Sequence, residues 1–496
     1  MTRATVRIAV VLCTIACLAA PRAAWAGDAL DRVRHAGVLR WGGDLQGGEP
    51  FVSQDPRDPS HLVGFEVDIA AAIARTLGVR AEFVENDWST LVPSLERGSF
   101  DVAMNGLEVM ASRATRVSFT RPYYVFTERL IARRGDTRVH PSLDALRGLR
   151  VGTLASSYAF ELIRDRSDVV VYEGTEEPYL DLARGRTDAV LLDDIIAARY
   201  GEPNAALEVV GDVAEGYYAV AARKSEPDLE SAVDAALAQM AKSGELEAIL
   251  RRANLWSARE ERLTSWTPAD QARMIGAATA EVGATGMTPR HVLLFVQGAL
   301  MTLLVSTLAM LLAVPLGLAL AIARRWGPRW LDVLANVYVE IYRGTPVLLQ
   351  LYVLYYGLAP IVRINALTAA VVGLGMNYAA YEAEAYRAGI QAVPRGQMEA
   401  ALSLGMSLPL ALRRIILPQA FRHALPNVTN DFIALLKDSS LVSVITVVEL
   451  TKQMTITAVD VRGWLMPGLL CAALYLAMSW PLGFVARRLE ARLAHG

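Results

Sequence analysis

The sequence predicts two fold classes in series, an α/β domain over the first half and an all-α membrane domain over the second. Three observations carry this. Residues 28–285 mix charged and apolar positions as a soluble domain does, whereas residues 292–490 contain several long apolar runs. Within the first half, strand-like and helix-like patterns alternate. At 496 residues the chain is also too long for one ordinary domain. Lys and Arg (49) nearly balance Asp and Glu (51), so no basic excess points to nucleic acid.

The N-terminus begins with Arg3 and Arg7, continues as an apolar run from Ile8 to Ala20, and closes with Ala24-Trp25-Ala26 before Gly27. Charge, short apolar core and small-x-small order make residues 1–26 a secretory signal peptide, with an uncleaved anchor as the alternative. The core is short against the ~20 residues a membrane span needs. On either reading, the chain beyond Gly27 is exported.

From there, Gly37 to Gly43 reads as a short apolar strand ending in glycines. Phe65 to Leu77 carries an apolar stripe at helical spacing and is stopped by Gly78. Val79 to Val84 is strand-like, Leu91 to Arg97 a short helix, and Asp101 to Met104 strand-like again. Such alternation favours a mostly parallel sheet, which binds ligands at the carboxyl ends of its strands, near helix N-termini. Cys13, Cys17 and Cys471 lie in apolar runs and the six His are scattered, so neither a disulfide framework nor a metal site is expected, and no cofactor.

The runs GVLRWGGD, LVGFEVDIAAAIARTLGV and DWSTLVPSLERGSFDVAMNGLEVMASRATRVSFTRPYY, then LRGLRVGTLASSYAFELI, GRTDAVLLDD and GELEAILRRANLW, resemble the type-2 periplasmic solute-binding family for polar amino acids. The resemblance covers about 220 residues and implies an α/β two-lobed periplasmic-binding-protein-like domain over residues 27–256. Thr120–Tyr124 and Glu215–Tyr218 match the two crossings, placing the second lobe at about 125–216. Arg113 stands where the family places its carboxylate clamp, and a guanidinium can grip both oxygens at once. Asp193 stands where the ammonium is received, although Asp194 beside it is an alternative. Asp44, Phe65, Asn105 and Gly106 match further ligand-facing positions, and Ser156 and Ser157 precede a helix whose N–H groups can meet a carboxylate. Relatives carry Ser or Thr where this chain has Glu108. That carboxylate either faces the ligand and disfavours acidic ones, or pairs internally with Arg113 or Arg116. The aromatic expected shortly after Asp44 is replaced by Gly47 and Gly48.

Residues 257–290 read as a partly helical linker. Residues 291–496 then carry five apolar runs, at about 293–322, 331–358, 364–387, 428–448 and 464–486. Each can reach across ~30 Å of hydrocarbon at ~1.5 Å per residue. With the first domain outside, the clusters Arg324–Arg329, Arg387–Arg422 and Arg487–Arg492 all fall on the cytoplasmic side. Within the loop at about 388–423, EAALSLGMSLPLALRRIILP resembles the EAA signature of ABC importer permeases, with Glu399, Ala400, Ala401, Gly405 and Pro418 at the signature's offsets. That resemblance implies a helix–Gly–helix knob that docks on an ATPase. Glu340, Arg343, Glu382 and Glu384 lie within or beside spans, where Glu340–Arg343 and Glu384–Arg387 can pair at i,i+3.

The resemblances together imply a transporter subunit for a polar amino acid or related amine, not an enzyme, in the bacterial inner membrane. No GxxxxGK[ST] phosphate loop occurs, so a separate ABC ATP-binding subunit is expected as partner, with a second copy of the permease as homodimer. A ligand-gated channel or a sensor uses the same binding fold. The channel is disfavoured because the binding lobes finish before the first span and VVGLG is only a faint echo of a TVGYG filter. The sensor is disfavoured because no signalling module is expected beyond the last span.

Overall fold

The computed structural model describes residues 29–280, 286–359, 361, 364–461 and 463–493. The expected signal peptide, residues 1–26, lies outside them. The described residues form two compact units: residues 29–128, 193–199 and 214–280 make the first, and residues 129–192, 200–213 and those from 286 onward the second.

In the first unit, β1 (Val38–Gly43) pairs in parallel with β4 (Arg80–Glu85) on one side and β5 (Val102–Ala103) on the other. The short hairpin β2 (Ser53–Asp55) and β3 (Asp58–Val63) lies between β1 and β4 in the chain. The crossover from β1 to β4 uses the helix Phe65–Leu77. Its apolar side buries Phe65, Ile69, Ile73 and Leu77, and Gly78, at φ 77°, ends it in a left-handed cap that a side chain would strain. A core of Leu91, Leu95, Phe100, Leu107, Val117 and Phe119 packs beneath. Two 17-residue strands, β6 (Val117–Arg133) and β10 (Leu207–Arg223), contribute residues to both units. The helices Pro227–Ser243 and Glu245–Arg252 and the segment Pro268–Ala280 complete the first unit.

In the second unit, β7 (Arg150–Leu154) lies between β8 (Asp168–Tyr172) and β9 (Ala189–Asp193), all parallel, over a core of Leu130, Val151, Ile163 and Leu191. The α/β expectation therefore holds. The rest of this unit is helical. Pro289–Trp326 is a 38-residue helix started by Thr288, whose hydroxyl accepts from His291 N while His291 reaches back to the Thr288 N–H. It packs against Ala366–Ala392 closely enough that Gly317 leaves no room for a side chain beside Glu382.

The helix boundaries correct the expected spans. The run 331–358 is not one helix: Arg329–Gly344 stops, and Val347–Tyr352 begins after Pro346 and continues as the wider turn Val353–Gly357. Proline lacks an N–H and forces the residue before it out of the helical region, so Thr345 is extended at ψ 145°. Gln350 Nε2 staples the break by donating to the carbonyls of Tyr342 and Thr345. The run 428–448 belongs to a helix that starts earlier, Leu417–Asp438, continued by the tight turn Ser439–Ile445. The earlier turns carry Arg422 and His423 and so escape an apolar window. Among the described residues, Pro289–Trp326 and Leu465–Arg488 are long and apolar enough to cross a membrane.

Candidate functional site

The first unit concentrates charge where the carboxyl ends of β1 and β5 meet the start of β6. Arg113, in the single-turn helix Ala111–Ala114, is 7% exposed. Its Nη1 donates to the Glu108 carboxylate at 3.0 Å and to the Glu108 carbonyl at 3.3 Å. Its guanidinium lies 4.5 Å from the centre of the Trp88 ring, a cation held by an aromatic face. Arg116 is engaged elsewhere, with Glu96. The internal pairing open to Glu108 is thus the one with Arg113.

Asp193 is buried and caps the turn after β9, accepting from Ile196 N at 3.1 Å. The Tyr218 hydroxyl donates to its other oxygen. Glu108 bridges Tyr218 across the backbone, which brings the acids at 108 and 193 to one tyrosine. Burial pushes the Asp193 carboxyl up to about 7, and the charges of Glu108 and Asp194 add to that against the Tyr218 hydrogen bond. Asp194 points to a different partner, the Arg259 guanidinium. Of the two neighbouring acids, Asp193 is the one gathered with Glu108 and Arg113.

Asp44, Asn105 and Gly106 form the frame beside this cluster. Asp44 Oδ2 accepts from Trp88 N at 2.8 Å, and Asp44 N donates to Asn105 Oδ1 at 2.9 Å. The Trp88 indole N–H donates to the Asn105 carbonyl at 2.9 Å. Gly106 sits at φ +56° with the Phe51 ring 2.9 Å from where a side chain would start, so only glycine fits there. Its N–H donates to Glu66, which also accepts from the Tyr123 hydroxyl and is pushed up to about 7 by burial. Phe65 is 2% exposed and lies among Phe51, Tyr123 and Tyr124, with ring centres 5.5 to 6.3 Å away.

Ser156 and Ser157 belong to the second unit. Ser156 adopts φ +63°. Ser157 caps Tyr158–Ile163, accepting from Phe160 N and donating to the Leu154 carbonyl, both at 3.0 Å. The structure therefore assembles Asp44, Asn105, Gly106, Glu108, Arg113 and Asp193 in one unit, places Phe65 in the aromatic layer beside them, and puts the two serines in the other unit. Sequence reasoning missed Trp88, Tyr218 and Glu66 as members of the cluster. An Asp-Trp pair just before a helix was the signal for Trp88.

The helical half carries two further features. Glu399 and Gly405 are exposed, and Gly405, at φ +78°, ends the helix Arg395–Ser403 and turns the chain toward Leu408–Ala411. Ala401 is buried, Ala400 exposed, and Pro418 lies in the first turn of Leu417–Asp438. Around the turn, Leu402, Leu404, Leu408 and Leu410 are all exposed, Leu404 at 82%. Elsewhere a cavity of about 500 Å³ is lined by Arg343, Asn377, Tyr378, Asp431 and Asp438 among others. Glu384 binds Arg387 at 2.7 Å and also Arg324, as i,i+3 spacing predicted for the first pair; Arg343 instead lies over the Tyr381 ring.

An α/β domain with a buried cation and buried acids thus precedes a helical half with long apolar helices. Residues 42–254 match the family of bacterial extracellular solute-binding proteins, family 3, and residues 313–495 match the binding-protein-dependent transport system inner membrane component. A glutamine transport system permease protein of Rickettsia felis is 32% identical over 204 residues, 41% of this chain and 94% of that protein. An amino-acid permease protein of Bacillus subtilis is 43% identical over 162 residues, 32% of this chain and 72% of that protein. An amino-acid ABC transporter permease protein of Vibrio harveyi is 50% identical over 124 residues, 24% of this chain and 56% of that protein. The chain belongs to the binding-protein-dependent inner membrane component family, as an amino-acid ABC transporter permease fused to a solute-binding domain. It is a multi-pass inner-membrane transport subunit and not an enzyme. Its family implies an ATP-binding partner subunit and an amino-acid ligand.

Proposed function

We propose that the exported domain, residues 27–256, captures a polar amino acid or a closely related amine by its two charged ends. Arg113 takes the ligand carboxylate, displacing Glu108, and Asp193 takes the ammonium. The observation that supports this most is the convergence of Arg113, Glu108 and Asp193 on Trp88 and Tyr218. A free amino acid presents the same charges in reverse, and each needs a partner when it leaves water. Asp44, Asn105 and Gly106 hold the frame, Phe65 backs it, and Ser156 and Ser157 serve the ligand from the second lobe.

Relatives are named for glutamine, amino-acid and octopine transport, which fits a ligand with an α-amino-acid end. The domain faces the outside after export by residues 1–26 and is tethered by residues 257–290 to a five-span permease, residues 291–496. Two copies enclose the path, and the loop at about 388–423, with Glu399, Ala400, Ala401, Gly405 and Pro418, receives the ATPase on the cytoplasmic side. The exposed leucines around Gly405 support that docking role. A thermal-shift screen of the purified full chain against the protein amino acids and simple amines tests the reading. A ligand present at a hundred times its Kd stabilises the folded state by about 2.7 kcal/mol. One or a few polar amino acids should raise the melting temperature, and sugars should not; a chain that responds to sugars and to no amino acid contradicts it.

A further inference from the structure

Residues 257–271 lie between the two matched regions, 42–254 and 313–495, where the sequence reads as a tether. They are nevertheless packed. Ser257 opens the tight turn Glu260–Ser265 by donating its N–H and hydroxyl to the Glu260 carboxylate, at 2.7 and 2.6 Å. Glu260 and Leu263 are both buried, which a stretch that only connects has no need to do.

The side chains of this stretch reach the parts of the first unit that surround Asp193. Arg259 Nη2 donates to Asp194 at 2.5 Å, and its Nη1 to the Thr127 hydroxyl at 2.8 Å. One guanidinium thus joins β6 to the turn Asp194–Ile196, which Asp193 caps. Arg262 meets Glu215 at 2.5 Å and lies 5.8 Å from the centre of the Tyr217 ring, both on β10. Trp266 meets the same ring edge-on at 5.4 Å. Gln271 Nε2 donates to the Phe119 carbonyl on β6 at 2.8 Å. The stretch therefore grips both long strands. Next to its grip on β10 is Tyr218, whose hydroxyl donates to Asp193.

Asp193 and Asp194 are neighbours and both are buried, so charge on one opposes charge on the other. Arg259 gives Asp194 a cation of its own, and the second arm of its planar fork fixes that cation on Thr127. The Arg259 side chain is 29% exposed and that of Asp194 6%, so the pair sits at the rim of the unit and is partly screened by solvent. Its main effect is on where the turn and its cap are held, not on overall stability.

We propose that residues 257–271 are part of the amino-acid site, a clasp on the two strand crossings, in which Arg259 positions Asp193 for the ligand ammonium by engaging Asp194. Arg259 is a positioning residue that acts through its neighbour. The inference rests on the reading of Asp193 as the ammonium partner, and one of its two readouts needs no ligand.

The test uses the full chain in lipid nanodiscs, as wild type, as Arg259→Gln, and as Arg259→Gln with Asp194→Asn. The ligand-free readout is hydrogen exchange at the Ile196 amide, which donates to Asp193 at 3.1 Å and so reports how firmly that carboxylate is held. Exchange should quicken several-fold in Arg259→Gln and return toward the wild-type rate in the double variant, where the unmatched charge is gone. The second readout is calorimetry with the protein L-amino acids, starting with L-glutamine, and with the deaminated analogue of the one that binds. Arg259→Gln should weaken the amino acid about tenfold, on the scale of one hydrogen bond to a charged group, and leave the analogue unchanged. The double variant should recover most of that loss. A structural role alone would weaken both compounds alike. If Arg259→Gln does not fold, Arg259→Lys takes its place, keeping the charge without the fork to Thr127, and a smaller loss of the same pattern is expected. An unchanged Ile196 rate, an equal loss for amino acid and analogue, or a double variant no better than the single overturns the proposal. If the wild type binds no amino acid, the ligand reading fails while the exchange rate still decides the clasp.

Discussion

Arg113 is 7% exposed and already holds Glu108, whereas Leu404, in the loop around Gly405, is 82% exposed. The proposed ligand site keeps its charges out of water and satisfied among themselves, with Trp88 and Tyr218 as covers. The loop leaves four leucines in solvent within nine residues, Leu402 to Leu410. The difference fits the kind of partner proposed for each region. A small zwitterion offers little apolar area, so recognition depends on charges kept desolvated and oriented. A protein partner offers area, and each leucine buried contributes about 1.5–3 kcal/mol without needing fixed geometry. A solvated surface Arg in place of Arg113, or a paired and covered turn in place of Gly405, would serve neither purpose.

The largest expected effect comes from the loop. Gly405→Asp forces a side chain into a left-handed turn at φ +78° and puts a carboxylate beside the leucines. In reconstituted transporter it should keep amino-acid binding and lose ligand-stimulated ATP hydrolysis. Gly405→Asn puts a side chain of the same size into the same turn without the charge and should keep most of the stimulation. Normal stimulation in the aspartate variant would break the contrast between the two regions.

A smaller effect is expected at Glu108. Glu108→Thr removes the carboxylate that holds Arg113 in the empty site, leaving a buried guanidinium without that partner. The ligand-free melting temperature should fall, and the shift produced by a bound amino acid should widen, since the ligand carboxylate no longer displaces a competitor. The ranking of arginine, glutamine and glutamate should stay as in the wild type, with glutamate weakest. A changed ranking in the variant would show that Glu108 faces the ligand side chain instead of serving only as the internal partner of Arg113.

The smallest effect is in protons. Asp193 is raised to about 7 by burial, so in the empty site it is largely protonated below that pH. An ammonium binds the ionised form and lowers the carboxyl back toward its ordinary ~4. Binding should therefore release a fraction of a proton near pH 6, and affinity should rise as pH increases toward 7 and then level off. Calorimetry in buffers of different ionisation enthalpy reads this directly. Proton uptake on binding would reverse the sign and place the ammonium elsewhere.

These predictions draw unequally on the sequence. The helix Phe65–Leu77 was legible to the residue because its stripe is clean and Gly78 stops it. Arg113 and Asp193 were singled out through their motifs, and the structure gathers them with Glu108. Trp88 was not, because a cation–π contact joins residues 25 positions apart and leaves no periodic trace. The break at Thr345-Pro346 was present in the letters, yet an apolar window counts only hydropathy and runs through it. Likewise Leu417–Asp438 starts 11 residues before the window at 428, because its early turns are amphipathic. Hydropathy located the apolar segments; proline and charge set where the helices bend and begin.

The most direct test of the ligand clamp is calorimetry on the full chain in lipid nanodiscs, using the amino acid that best stabilises it. Arg113→Ala should lose at least ~2 kcal/mol of binding by leaving a desolvated carboxylate unpaired, and Asp193→Asn should weaken binding comparably from the ammonium side. Wild-type affinity in both variants would contradict the account, because the buried charges at 113 and 193 would then be structural and the amino acid would be held by other groups.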